Sequence, residues 1–152
     1  MASDTLSDVL RSVRLRGAVF YDLCFGHEWA AEAPPANQIT DAVLPGAEHV
    51  MEYHVITKGS GWAAIVGEPP VRLETGDIVI FPQGDAHVVS SAPGIRPTRM
   101  SAEWVHSLSD IPKPLPIVFH TANEFSMGSH DPASPTHIAC GFLGCDLRPF
   151  NP

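Results

Sequence analysis

Two hydrophobic periods divide the chain. Leu6, Val9, Leu10 and Val13 recur at intervals of three and four, the repeat that lines up side chains on one face of an α-helix. Thr5 and Asp8 have the spacing of a capping box and Gly17 follows the pattern, so a helix is predicted over about residues 4–15. From Gly17 onward the apolar residues come in short runs rich in Val, Ile and Phe, cut by Gly and Pro clusters: AVFYDLCF, EYHVITKG, GWAAIV, VRLETG, DIVIFPQG and AHVVS. Such runs, bounded by turn residues, read as β-strands. At 99–104, RMSAEW sets Met100, Ala102 and Trp104 on one face against Arg99, Ser101 and Glu103 on the other, which predicts a further half-buried strand. Residues 107–135 hold DIPKPLPIVF and SMGSHDPASP, whose prolines allow only edge strands or loops. HIACGF, 137–142, predicts a closing strand, with a turn over 144–152. About eight to ten short strands over residues 17–143 predict a closed barrel or a sandwich, and a barrel of that size holds one small ligand.

Composition narrows the picture. With 152 residues, 44% of them apolar and 17% charged, the chain suffices for one domain with a real core, so residues 1–152 are read as a single unit. Nine Lys and Arg face 17 Asp and Glu for a formal net charge of -8, and no basic run is present. That argues against direct DNA binding by this chain alone. The opening MASDTLSDVLRSVRLRG has no signal-peptide core and no run reaches bilayer-spanning length, so no membrane partner and a cytoplasmic location are expected. Cys24, Cys140 and Cys145 form an odd, sparse set that suits a reducing compartment better than a disulfide framework.

The most specific pattern is GDIVIFPQGDAH, residues 76–87. Gly76 suits a tight turn, Ile78 and Ile80 alternate on a strand, Pro82 and Gly84 make a second turn, and His87 opens the next strand. This spacing resembles the second motif of the cupin superfamily. Upstream, Glu52, the six residues YHVITK and Gly59 resemble the second half of the first cupin motif. The histidine positions of its His-x-His half fall on Pro45 and Ala47, or on Gly46 and Glu48. The closer resemblance is to the N-terminal cupin domain of AraC-type transcription regulators, carried by LSDVLRSVRLRG, YHVITKGSGWAAI, VRLETGDIVIFPQGDAHVVS and CGFLGCDLRPFNP. It implies an all-β fold, a cupin-type small jelly-roll β-barrel with an N-terminal helix. In that family a histidine lies before the end of the Gly-terminated strand, as His54 does, and a Cys-Gly pair begins the last strand, as Cys140 and Gly141 do. The resemblance implies DNA as a partner only through a C-terminal domain, absent from these 152 residues, to which regulators of this kind entrust DNA contact.

Strand alternation puts Glu52, His54 and Ile56 on one face and His49 on the other. His54 and His87, each near the head of a pocket-facing strand, are either ligands for Zn, Ni or Fe or a pair of buried, hydrogen-bonded histidines. Cys140 is the candidate third metal ligand, and its thiolate would favour Zn; its other reading is a small buried hydrophobe. Glu52 is a fourth ligand, the partner that orients a ligating histidine, or a salt-bridged strand residue. Cys145 has the opposite parity to Cys140, while Cys24 on an early strand could meet Cys140 as an oxidisable pair. His27, His106, His120, His130 and His137 read as solvated loop histidines, and Trp62 as a pocket wall or core residue. The helix stripe, and Tyr53 with Val55, offer packing or dimer contacts. Three functions remain open. One is a ligand- or metal-sensing regulatory domain, homodimeric, that answers a small-molecule effector or a divalent metal by population shift. The second is a mononuclear metal-dependent cupin enzyme of isomerase or dioxygenase type, with Glu52 as base. The third is a metal-free pocket for a polar ligand.

Overall fold

A computed structural model describes residues 4–12, 15–121 and 124–146. Helix α1 spans Thr5–Ser12. Its cap is Asp4 rather than the expected Thr5 and Asp8 box: the Asp4 carboxylate accepts from the Leu6 and Ser7 amides at 3.3 and 3.4 Å. A carboxylate just ahead of the first turn reaches orphan N–H groups directly and favours the positive end of the helix. Leu6 stays 63% exposed rather than packing on the barrel. The side chains of Val9, Leu10 and Val13, the rest of the expected stripe, lie outside the described residues.

Eleven strands follow among the described residues: β1 Arg16–Phe25, β2 Ala30–Ala33, β3 His49–Lys58, β4 Ser60–Ile65, β5 Val71–Glu74, β6 Ile78–Phe81, β7 His87–Ser90, β8 Thr98–Arg99, β9 Leu115–Thr121, β10 Glu124–Met127 and β11 Thr136–Cys145. One sheet has six strands in the order β10-β9-β1-β11-β3-β6 and the other five in the order β5-β4-β7-β2-β8. This is an all-β barrel of the kind the strand pattern predicts, in the jelly-roll form that the resemblance implies, closed face to face over one core. Ile56, Ile117 and Ile138 are fully buried there. Phe25 stacks between Trp29 and Phe119, with ring centroids 4.1 and 4.8 Å away. Each such side chain contributes about 1.5–3 kcal/mol by leaving water.

Two segments depart from the sequence reading. In RMSAEW only Arg99 is strand; Ser101 caps a helix, its hydroxyl accepting from the Trp104 amide at 3.1 Å. The inward residues are Val105 and Leu108, three apart, so the helical period lies beyond the six residues that alternate. This helix, Ala102–Ser107, is α3, after a single turn α2 at Thr40–Val43. The second departure is β9, in a segment whose prolines allow only edge strands or loops by sequence. It lies inside its sheet between β10 and β1, with Leu115, Ile117 and Val118 buried. Pro116 occupies its second position, where a missing N–H interrupts only the end of the ladder.

The register of three strands positions the site. β11 pairs with β1 on one side and β3 on the other, so Cys140 lies opposite both Tyr21 and His54. β6 then pairs with β3, placing Phe81 beside Glu52. The turns around β6 use left-handed backbone at Gly76 (φ 95°) and Gly84 (φ 67°), as expected from their place in the motif. No helix among the described residues is long and apolar enough to cross a membrane.

Candidate functional site

Alternation along β3 buries Val50, Glu52, His54 and Ile56 and turns His49 outward, where its ring meets the Pro82 carbonyl. After Phe81 the turn at Pro82 and Gly84 carries the chain from the six-stranded to the five-stranded sheet, so His87 approaches His54 from the facing wall. The Phe81 ring stacks on His87 at 3.8 Å between centroids and holds it from behind. Between the sheets is a cavity of about 60 Å³ whose walls include Tyr21, Glu52, His54, His87, Met100 and Trp104. That volume accommodates about two waters, or an ion with its remaining ligands.

Hydrogen bonding assigns the protons. The Asp85 carbonyl only accepts, so His87 donates to it from Nδ1 at 2.8 Å and its Nε2 carries a lone pair. His54 Nε2, 2.7 Å away, donates to that lone pair. His54 Nδ1 must then accept, and the Cys140 thiol at 2.7 Å supplies the proton. One chain of neutral groups thus runs from Cys140 through His54 and His87 to Asp85. Glu52 Oε1 lies 3.7 Å from His54 Nε2 and 3.8 Å from His87 Nε2, beyond hydrogen-bond reach of both. Its Oε2 is buried with no hydrogen-bond partner.

Burial sets every charge in this cluster. Desolvation pushes the Glu52 carboxyl up from 4.5 to about 8. Burial and then the neighbouring His87 hold His54 well below the ordinary histidine value. Burial lowers His87 to about 4, against the opposing pull of Asp85. The Cys140 thiol is pushed well up by burial, then by Glu52 and Asp22. Left to itself the cluster is neutral near pH 7, since each charged form would be stranded in an apolar wall.

Glu52, His54 and His87, all buried, bring one ligand atom each to within 4.8 Å of one another. Two imidazoles and a carboxylate form a donor set for a first-row divalent ion, and an unpartnered buried carboxylate oxygen is the atom such an ion would satisfy. The 2.7 Å between the two Nε2 atoms is a hydrogen-bond distance. Two nitrogens on one tetrahedral ion stand about 3.3 Å apart, so an ion would replace the Nε2 proton and spread the rings by about half an ångström.

Other expected residues fall differently. Cys140 reaches the far nitrogen of His54 and does not join the three converging ligand atoms. Cys145 continues β11 opposite His49 without a bulge, so it keeps opposite parity to Cys140. Cys24 does not meet Cys140: it lies opposite His137 in the β1 and β11 ladder, and all three cysteines are free. His130 and His137 are not plain loop histidines, because His137 is a buried strand residue and His130 touches Cys24 at 3.4 Å. The aromatic wall is Trp104 rather than Trp62, whose ring faces out under Arg72. The alternation sets Trp104 on a strand face with Met100 and Ala102; it is a helix that brings it to the cavity wall.

Comparison with known proteins gives a family. The family model described as "Cupin" matches residues 4–152. Among solved structures, an HTH_3 family transcriptional regulator from Vibrio cholerae aligns at 9% identity with a TM-score of 0.36, covering 78% of this chain and 38% of that one. The chain therefore spans well under half the length of that regulator. Curated proteins give no match.

Proposed function

The chain belongs to the cupin family, and on that premise we propose that it is a sensory cupin domain whose effector is a divalent metal, or a small ligand on that metal, held by Glu52, His54 and His87. The observation that carries this reading is the buried, unpartnered Oε2 of Glu52 beside two neutral imidazoles in a cavity of ion-and-water size. Buried carboxylates without hydrogen bonds cost stability, and a dication is the partner that removes the cost. Cys140 then orients His54 rather than binding the ion. With Nε2 given over to metal, His54 would carry its one proton on Nδ1 and donate it in a hydrogen bond to the Cys140 sulfur, whose own S–H would turn away from the ring. With Cys140 outside the donor set, Fe and Ni stand beside Zn as candidates.

Regulation is proposed from the resemblance to AraC-type sensor domains. Occupancy would bias the barrel toward one packing, and a linked DNA-binding domain would read that bias. Homodimerisation belongs to the same proposal, through the outer face of β3 and β6, where Tyr53 pairs with Ile80 and Val55 with Ile78. Ile78 and Ile80 are 60% and 48% exposed there. The three free cysteines fit a reducing cytoplasm. A second reading, a mononuclear metal enzyme, is favoured by one feature: two histidines and one carboxylate leave coordination positions open.

The test is metal content by elemental analysis of untagged, chelated and reloaded chain. About one pocket-bound ion per chain that is lost in both His54→Ala and His87→Ala supports the reading. An unchanged metal content in those variants removes it.

A further inference from the structure

On the outer face of the same sheet a second group of ligating side chains converges. Asp22 and Cys24 alternate outward along β1, away from Tyr21 and Leu23, which line the inner cavity. His137 lies directly across from Cys24 on β11. The segment between β10 and β11 folds back over them and delivers His130. Cys24, His130 and His137 bring their ligand atoms within 4.8 Å of one another. Cys24 is 0% and His137 8% exposed, and His130 forms the open side.

The distances match a coordination shell. Cys24 Sγ is 3.4 Å from His130 Nδ1, and that nitrogen is 3.2 Å from Asp22 Oδ2. A tetrahedral site with Zn–N of about 2.0–2.1 Å and Zn–S of about 2.3 Å has S···N edges of about 3.6 Å and N···O edges of about 3.3 Å. His137 donates from Nε2 to the Asp131 carbonyl at 3.0 Å, which fixes its ring and leaves Nδ1 with a lone pair. A backbone carbonyl on one ring nitrogen is a usual support of a histidine that ligates through the other. The Asp131 carboxylate is engaged elsewhere, by the Ala133 amide at 3.0 Å and the Ser134 hydroxyl at 2.9 Å. Lys58, the nearby cation, is tied to the Pro132 carbonyl at 2.8 Å.

We propose that Cys24, His130 and His137 form a second metal site, for a zinc-class divalent ion, with Asp22 at its open side. Binding expels the Cys24 thiol proton to solvent and leaves the thiolate on the ion. The ion fastens the segment before β11 to the outer face of the sheet. The site shares no residue with Glu52, His54 and His87, so either can fail without the other.

Cobalt(II) titration of the chelated full-length chain carrying Cys140→Ser tests it, because a thiolate on cobalt gives a charge-transfer band that histidine and carboxylate ligands do not. The band is expected to saturate at one thiolate-bound cobalt per chain, within two equivalents of total cobalt when the Glu52, His54 and His87 site also fills, and to vanish when Cys24→Ser is added. His130→Ala, on the exposed side and checked for folding by circular dichroism, is expected to weaken cobalt binding by about tenfold or more. No band in the Cys140→Ser chain, or a band that survives Cys24→Ser or is indifferent to His130→Ala, overturns the proposal.

Discussion

Glu52→Gln isolates the carboxyl on which the inner site turns. In the metal-free chain Glu52 titrates near pH 8 against 4.5 for its ordinary value, because burial opposes its charge. The native state therefore holds a proton that the unfolded state has lost, and stability falls as pH rises from about 4.5 through 8. The histidines act with opposite sign. Depressed values in the fold mean that His54 and His87 remove stability as pH falls below about 6.5. Summed from pH 6.5 to 8, Glu52 outweighs the two histidines by about twofold, although near pH 6.5 they offset it. One proton is worth about 1.4 kcal/mol per pH unit, and half-ionisation near pH 8 reduces the sum over this interval to about 1.5 kcal/mol. Glu52→Gln keeps the shape and both histidines but cannot ionise. Urea unfolding of both chelated chains at pH 6.5 and 8 is expected to show the variant gaining about 1.5 kcal/mol on the parent over that interval. A gap that stays constant would refute the assignment of a buried, proton-holding Glu52. With saturating metal the trend reverses, because the ion selects the carboxylate and its affinity rises with pH.

Further outcomes follow from the same geometry. Gly84→Ala is expected to cost about 1–3 kcal/mol in urea unfolding, since the residue has φ 67° and an added Cβ would come within 2.7 Å of the Ala36 Cβ and 2.8 Å of the Val50 carbonyl. Ser101→Ala removes the α3 cap and is expected to cost about 1 kcal/mol, with thermal unfolding as the check; no loss would mean that the cap does not hold the helix. If the proposed dimer forms through β3 and β6, Ile80→Lys on the exposed edge strand is expected to turn a sedimenting dimer into a monomer; a monomeric parent removes the dimer proposal, and a dimer that tolerates the change lies on another face.

The sequence was most legible where a local pattern has one structural solution. The glycine and proline turns flanking β6 and the inward alternation of Glu52 and His54 are both local, and both are present. Alternation failed at residues 99–104 because six residues cannot distinguish a strand from a helix begun by a serine cap. β2 escaped notice because AAEA carries little strand propensity; its place is set by pairing with β7 and β8. The outer cluster was invisible for a different reason. Cys24 and His137 are neighbours only through the β1 and β11 register, more than a hundred residues apart in sequence, and nothing in their spacing announces it. The role of Cys140 was half legible: the pattern gives its strand, but its inward direction and whether it meets an ion or the Nδ1 of His54 depend on register.

The most direct test of the central claim is an anomalous-difference map from crystals of the chain soaked in zinc, recorded on both sides of the metal's absorption edge. A peak is expected inside the barrel in contact with the Glu52 carboxylate and the Nε2 atoms of His54 and His87, with the Cys140 sulfur left on His54 Nδ1. An inner cavity without a peak, while the two Nε2 atoms remain at hydrogen-bond distance, would contradict it and leave a metal-free pocket.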